Sequence, residues 1–426
     1  MIVLCMFLGL VALVMINVPI AVALAVVASG AMVYAHGLDV LPNVALVMMD
    51  GATNFPLIAI PLFILAGAIM NSTGISRRLI AFASAIFGFV RGGLAMVNIG
   101  TSLFFAEISG SAVADVAALG SILIPSMKKK GYPGPFAAAV TSSSATLAVI
   151  IPPSIPMILY AVMAQSSVVQ LFVAGIVPGI MGGGLMMFVA YRFAVHYNYP
   201  VEEVFKLKRV AETFRDAALA FTLPVIILGG IFGGFVTATE GAGLAVVAAI
   251  VIGMIYRELD WRHLKQAMID GGVQTAVVML LVAASVLVGE YLTEAQVPQT
   301  LADGIGNITQ NKYLVLALLN VFFLVVGLFL HSAAAIILVV PIVMPLVHQV
   351  GIDPVHFGII VTLNLGIGQQ TPPVASVLVT ACSVAKADIW EVSKVNIYFI
   401  GVLFVMLMLV TYVPAIPMTL VDFFYR

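Results

Sequence analysis

The chain has 426 residues, of which 62% are apolar and only 9% charged, with a net charge of −1 at pH 7. Soluble domains run about 45–50% apolar and about 25% charged, so a soluble enzyme, a disordered chain and a disulfide scaffold are excluded. What remains is a polytopic membrane protein, with apolar residues enough for roughly a dozen crossings at about 20 per span.

Apolar runs bounded by charge, Pro or Gly predict helices over residues 2–17, 19–36, 55–71, 94–127, 135–165 and 170–195 in the first half. In the second half they fall at 217–236, 240–256, 273–292, 313–347, 355–385 and 395–421. The N-terminal run lacks a basic lead and reads as a retained first helix, not a cleaved signal. Cys5 and Cys382 lie in apolar surroundings and supply neither a disulfide framework nor a metal cluster. The longest polar stretch, about 198–216, is too short for a domain and reads as a linker.

Two runs are too long for one crossing. The run 94–127 is interrupted at Ser109-Gly110-Ser111 and the run 313–347 near His331-Ser332. At about 1.5 Å per residue each arm is roughly 20–25 Å long, short of a bilayer. Each pair of arms therefore reads as a re-entrant hairpin. The expected architecture is all-α, with about ten full spans plus two hairpins.

Charge placement agrees with this topology. With the N-terminus outside and the hairpins switching no side, 16 of the 18 Lys and Arg fall inside, leaving Lys312 and Arg426 outside. Both termini then lie on the outer side. The run Lys128-Lys129-Lys130 reads as a topogenic signal.

A repeat is visible at a shift of 220. Pro125, Gly131, Pro152 and Pro153 map onto Pro345, Gly351, Pro372 and Pro373, and the two hairpins match. Five full crossings per half would invert the second half relative to the first. The predicted units are a first repeat over 1–197, a linker over 198–216 and a second repeat over 217–426. Inverted repeats with broken helices point to a secondary transporter whose sites lie where the interrupted helices meet. A channel is disfavoured, because hairpins entering from opposite faces plug the middle. An intramembrane hydrolase remains a distant alternative, although no Gly-x-Ser-x-Gly or His-Glu-x-x-His occurs.

Four polar breaks carry the candidate site. One tip is Ser109, Gly110 and Ser111, flanked by Glu107 and Asp115; the other is His331 and Ser332. The facing broken helices offer Ser142, Ser143, Ser144 and Thr146 before Pro152-Pro153, and Asn364, Gly366, Gly368, Gln369 and Thr371 before Pro372-Pro373. Such oxygen-rich, unwound stretches suit a hard cation, and non-helical backbone is tolerated at this depth when buried or lining a cavity. Half-helices starting at Pro152 and Pro372 would turn their N-terminal amides toward anionic substrate oxygens. Simpler readings stand beside these. Membrane Ser and Thr also bond the preceding turn or pack helices, and Gly366 and Gly368 could be packing glycines. Ser109 and Ser111 could serve only to form the turn. Glu107 and Asp115 are functional candidates or a structural pair near the tip. His331 is either an interior hydrogen-bonded histidine or a proton carrier. Glu240 is expected at a helix junction.

The chain resembles the large membrane subunit of tripartite ATP-independent periplasmic (TRAP) transporters of the C4-dicarboxylate or organic-acid type, over essentially its whole length. The resemblance is carried by the stretches Phe104 to Asp115, Ile124 to Tyr132, Ile150 to Pro156 and Gly366 to Pro373. It implies a bacterial inner-membrane permease with an elevator-type transport domain. It further implies two partners, a small four-helix membrane subunit and a periplasmic substrate-binding protein. No cofactor is expected; Na⁺ is the implied coupling ion, at Ser109, Ser111, Ser144, Ser332, Gly366 and Thr371. Energetics gives coupling separate support: one charge moved against 100 mV costs about 2.3 kcal/mol, so a dianion entering an inside-negative cell needs at least two cations. A self-sufficient Na⁺/dicarboxylate or citrate symporter of similar architecture is the alternative.

Overall fold

The structure, a computed structural model, describes residues 2–425 apart from 17, 110, 203 and 373; the side chains of 3, 4, 7, 11, 14, 15, 105–109, 307 and 308 are also outside the description. Gly110 and Pro373, and the side chains of Glu107 and Ser109, therefore lie outside the described residues.

The first half comprises α1 (Ile2–Met15), α2 (Ile20–His36), α3 (Leu41–Ala52), α4 (Ala59–Ser72), α5 (Ile75–Phe87), α6 (Gly93–Ser109), α7 (Ala112–Lys129), α8 (Gly134–Ala145), α9 (Ile155–Met163) and α10 (Val168–His196). The second comprises α11 (Leu207–Phe232), α12 (Ala238–Ile255), α13 (Trp261–Glu294), α14 (Val297–Ile308), α15 (Lys312–Phe329), α16 (Ser332–Gln349), α17 (Pro354–Gly368), α18 (Ser376–Ala385), α19 (Ile389–Tyr412) and α20 (Ala415–Tyr425). Among the described residues the strand content is one isolated bridge, Arg91 with Val201. Among the described residues, eight segments are long and apolar enough to cross a membrane.

Element bounds follow the shift of 220. Moved by that amount, 112–129 becomes 332–349, the bounds of α16, and 93–109 falls on α15. The turns that follow match too. Gly131 and Gly351 both have positive φ, at 89° and 67°. The next residue reaches back in each case, Tyr132 N–H to Met127 O at 3.1 Å and Ile352 N–H to Val347 O at 3.0 Å. Two Schellman turns at corresponding places explain why glycine stands at both.

The halves differ where sequence chemistry differs. Shifted by 220, α3 and α4 both fall inside the 34-residue α13. The first half breaks between them at 53–54, where Asn54 is extended ahead of a 3₁₀ turn over Phe55–Ile58 in which Pro56 has no N–H to donate; position 276, the counterpart of Pro56, is an alanine.

Four helices were not expected from apolar runs. α5 and α14 are amphipathic, α3 is short, and α20 is cut from α19 near Pro414. The linker is also shorter than the polar composition implies, since α11 starts at Leu207 and takes in its charged second half. Pro200 O accepts from Gly92 N–H at 3.1 Å, and Glu202 N–H donates to Gly88 O at 3.1 Å, so the remainder lies against the α5–α6 loop. Glu240 forms a capping box with Thr237 at the start of α12, a helix junction as expected.

Two groups of helices pack together, with α13 against α16 and α4 against α6 between them. α2, α3 and α4 pack on α13, and α4 also on α12. The hairpin arms and broken helices interlock across the halves: α7 packs on α8 and α18, while α16 packs on α9 and α17. α5 joins α11 to α6, and α14 joins α13 to α16.

Candidate functional site

Both long runs are interrupted where the sequence places tips, between α6 and α7 and between α15 and α16. The broken helices unwind later than their polar residues suggested. Ser142, Ser143 and Ser144 stay in the last turn of α8, Thr146 opens a 3₁₀ turn, and the true break runs over 150–154. Likewise Asn364, Gly366 and Gly368 are helical in α17, which ends at Gly368, and the break covers 369–375. Hydroxyls and amides in these helices satisfy the preceding turn, so they need not unwind it: Ser142 Oγ donates to Ala139 O at 3.1 Å and Asn364 Nδ2 to Ile360 O at 2.8 Å.

The half-helices do not begin at the prolines. α9 starts at Ile155, with Ser154 as its cap, and α18 starts at Ser376. Ser154 Oγ accepts from Met157 N–H at 3.4 Å and donates to Val149 O at 2.7 Å, so one side chain ties the two ends of the first break together. Pro152 and Pro153 lie in the buried loop before that cap.

Gly368 packs rather than unwinds. A methyl there would lie 2.5–2.7 Å from Gly327 backbone atoms, so α15 and α17 cross with their main chains nearly touching. A methyl on Gly366 would meet Thr146 Cγ2 at 2.7 Å, bringing the two halves together at the same level. A methyl on Gly175 of α10 would collide with the Ile150 carbonyl, which explains how non-helical backbone at the first break is covered by protein.

Three buried hydrogen-bonded groups result. In the first, Asn98 Nδ2 of α6 donates to Thr141 Oγ1 at 2.6 Å, and Ser102 Oγ to Ser144 Oγ at 2.9 Å. In the second, Asn364 Nδ2 lies 2.6 Å from Asn320 Oδ1 of α15, and Asn320 Nδ2 donates to Thr411 Oγ1 at 3.1 Å. Ser144 and Asn364 correspond at the shift of 220, and each ties its broken helix to the first arm of its own hairpin. The third group bridges the halves. Gln370 Nε2 donates to Thr146 Oγ1, Ser143 Oγ lies 2.6 Å from Asn396 Oδ1 and 3.0 Å from Gln370 Oε1, and Asn396 Nδ2 donates to Gln370 Oε1 at 3.2 Å.

Asn364 Oδ1 is buried and has no hydrogen-bond partner among the described residues. An oxygen left that way in a membrane interior is costly unless a cation or donor reaches it. Thr371 Oγ1 donates to Ile367 O at 3.0 Å, and Gln369 Nε2 lies 3.4 Å from Leu365 O. Ser332 is buried as the first residue of α16, and Ser111 caps α7 without a side-chain cap bond. Asp115, in the first turn of α7, is the one carboxylate residue below 2% exposure among the described residues; a helix N-terminus stabilises negative charge there.

The two breaks differ in access. Residues 150–154 are buried throughout. At the second, Thr371 and Pro372 are half-buried, Val374 is 48% exposed, and His331 at the tip is crowded by protein atoms yet reaches the molecular surface.

Sequence reasoning passed over Asn98, Ser102, Asn320 and Asn396, although a lone Asn in an apolar span is itself a signal. It also gave Lys128 only a topogenic role. Lys128 Nζ donates to Ala385 O at 2.8 Å and thereby caps α18 from the other half.

Comparison with known proteins places this geometry in a family. Residues 7–416 match the model of the tripartite ATP-independent periplasmic transporter, DctM component. The isethionate TRAP transporter permease protein DctMQ of Oleidesulfovibrio alaskensis is 40% identical over 405 residues, 95% of this chain. The chain spans 64% of that relative's length. The C4-dicarboxylate TRAP transporter large permease protein DctM of Pseudomonas aeruginosa is 36% identical over 383 residues, 90% of each protein. The crystal structure of the Alcanivorax borkumensis YdaH transporter superposes with a TM-score of 0.64, covering 88% of each chain at 16% identity, a likeness of fold. These relatives are named as transporters and permeases, not enzymes. The chain belongs to the DctM family, the large permease component of tripartite ATP-independent periplasmic transporters.

Proposed function

We propose that this chain is the large permease subunit of a binding-protein-dependent secondary transporter of the bacterial inner membrane. It imports organic anions, C4-dicarboxylates or similar carboxylates, coupled to a Na⁺ gradient. Its partners are a small four-helix membrane subunit and a periplasmic binding protein. The observation that carries the reading is the buried meeting of two interrupted helices, Gln370 on Thr146, between two re-entrant hairpins. The names of the relatives, C4-dicarboxylate and isethionate permeases, support an anionic cargo.

In this reading the halves 1–197 and 217–426 are inverted repeats. The interlocked group α6–α9 and α15–α18 moves as an elevator against α2–α4 and α11–α13, with α5 and α14 as connecting arms. The more exposed second break is then the face open to solution. Neutral oxygen donors suit Na⁺, and the unpartnered Asn364 Oδ1 is an oxygen such an ion would use. Asn364, Thr371, Ser332 and the Gly366 carbonyl would hold one ion; Ser144 with Ser109 and Ser111 would hold another. Bound Na⁺ supplies positive charge that offsets the anion's passage. The amides opening α9 and α18 then orient its carboxylates.

Proteoliposomes carrying both membrane subunits test this directly. Uptake should need the binding protein and an inward Na⁺ gradient together. Full uptake by this chain alone would replace the tripartite reading with the self-sufficient symporter, and indifference to Na⁺ would remove the coupling.

A further inference from the structure

We propose that the cavity between α5, α11 and the turn after α12 binds the phosphate of an anionic phospholipid. The cavity measures about 540 Å³ and lies at the basic end of the molecule, lined by Arg77, Arg78, Thr213, Arg215 and Asp216, with Tyr256 and Glu258 on its wall.

One of its arginines is held in a close ion pair and two are not. Arg78 meets Glu258 bidentately, Nη1 to Oε2 at 3.1 Å and Nη2 to Oε1 at 2.8 Å, with its guanidinium 3.8 Å over the Tyr256 ring. Tyr256 OH donates to Asp216 O at 2.8 Å, which fixes α11 against the turn. Arg77 and Arg215 make no hydrogen bond or ion pair among the described residues, although Arg77 also acts on the Glu258 carboxylate at longer range and Asp216 acts on Arg78. Three guanidiniums against two carboxylates leave a net positive, donor-rich cavity, and guanidinium geometry matches phosphate oxygens.

A second feature selects a lipid over a soluble phosphate. Phe214, between Thr213 and Arg215, is 51% exposed, stacks with Phe221 at 6.0 Å and packs tilted against Phe82 at 5.6 Å between centroids. Phe82 follows Ala81, itself part of the lining. These rings lie outside the cavity lining and form an apolar aromatic surface beside it on the same two helices, α5 and α11. Both α11 and α12 are candidate membrane spans that reach this level, 207–232 and 238–255. A phospholipid supplies an anionic head for the cavity and acyl chains for the aromatic surface on one molecule. Free phosphate or a nucleotide leaves that surface bare. Basic cavities between membrane helices recognise anionic heads by this combination.

Native mass spectrometry of the purified full-length chain, loaded with equal phosphatidylglycerol and phosphatidylcholine, tests the proposal. The expected result is preferential retention of phosphatidylglycerol, reduced about fivefold by Arg77→Gln or Arg215→Gln. Arg77→Lys and Arg215→Lys should keep more of it than the Gln variants. Thermal melting checks that each variant is folded; should none fold, the wild-type lipid comparison still decides. Equal retention of the two lipids, or undiminished retention in both Gln variants, overturns the proposal. Displacement of phosphatidylglycerol by inorganic phosphate at equal concentration overturns the lipid assignment in favour of a soluble phosphate.

Discussion

Ser143 and Gln370 stand 227 residues apart, and the Ser143 hydroxyl lies 3.0 Å from Gln370 Oε1. The same hydroxyl lies 2.6 Å from Asn396 Oδ1, so one proton serves two buried acceptors. Removing the amide strands its neighbours. Gln370→Leu should cost about 1–3 kcal/mol, the usual penalty for buried polar groups left unpaired. The thermal midpoint of the purified chain measures this, and Thr146→Val, which removes one hydroxyl that accepts from Gln370 and donates to Ser142 O, should lower it by less.

Where α15 crosses α17, no room exists for a side chain. Gly368→Ala places a methyl against the Gly327 backbone at 2.5–2.7 Å, and backbone cannot yield as a flexible side chain can. Overpacking of this kind costs about 1–3 kcal/mol or more. Gly401→Ala in α19 meets nothing within 4 Å and should be neutral or slightly stabilising. Comparing the folded yield and melting of the two variants checks the crossing.

At the basic end, the hydrogen bond from Arg78 holds the Glu258 carboxyl below its ordinary value of 4.5. A carboxyl with a lower pKa in the folded state than in the unfolded adds stability that is full above the unfolded value. That stability is lost as pH falls through the depressed folded value. Glu258→Gln should therefore lower the midpoint at pH 7, by about 0.5–1 kcal/mol for a partly exposed pair. The gap from wild type should close as the pH drops below about 4.5.

Lys128 reaches from the last turn of α7 to the final carbonyl of α18. Its side chain is exposed, so Lys128→Met should cost only about 0.5–1 kcal/mol overall. The local effect should be larger: faster amide exchange over 382–387, where the α18 C-terminus loses its cap.

The interruptions of the two long runs and the four polar breaks were legible because chain length against bilayer thickness, proline spacing and polar interruptions are properties of sequence itself. Helix ends were not. Ser154, three residues after Ile151, caps α9 through its own hydroxyl, and that local bond outcompetes the helix-starting tendency of Pro152. Gly366 and Gly368 looked like unwinding signals, yet their role depends on Thr146 and Gly327 lying opposite, and no local pattern reveals that. α5 and α14 escaped because their apolar faces are too narrow to register as spans. The inter-half group of Ser143, Gln370 and Asn396 needed the folded chain, since its members come from three helical neighbourhoods.

The central claim is that buried neutral oxygens around Asn364 select Na⁺. Thermal melting of the purified chain in NaCl against KCl at equal ionic strength tests it without substrate or partner. The account predicts that Na⁺ raises the wild-type midpoint and K⁺ does not, because binding to the folded state alone stabilises it. Asn364→Ala should shift the half-effective Na⁺ concentration upward by about tenfold, roughly 1.4 kcal/mol of lost ion affinity. Equal midpoints in Na⁺ and K⁺ for the wild-type chain would contradict it.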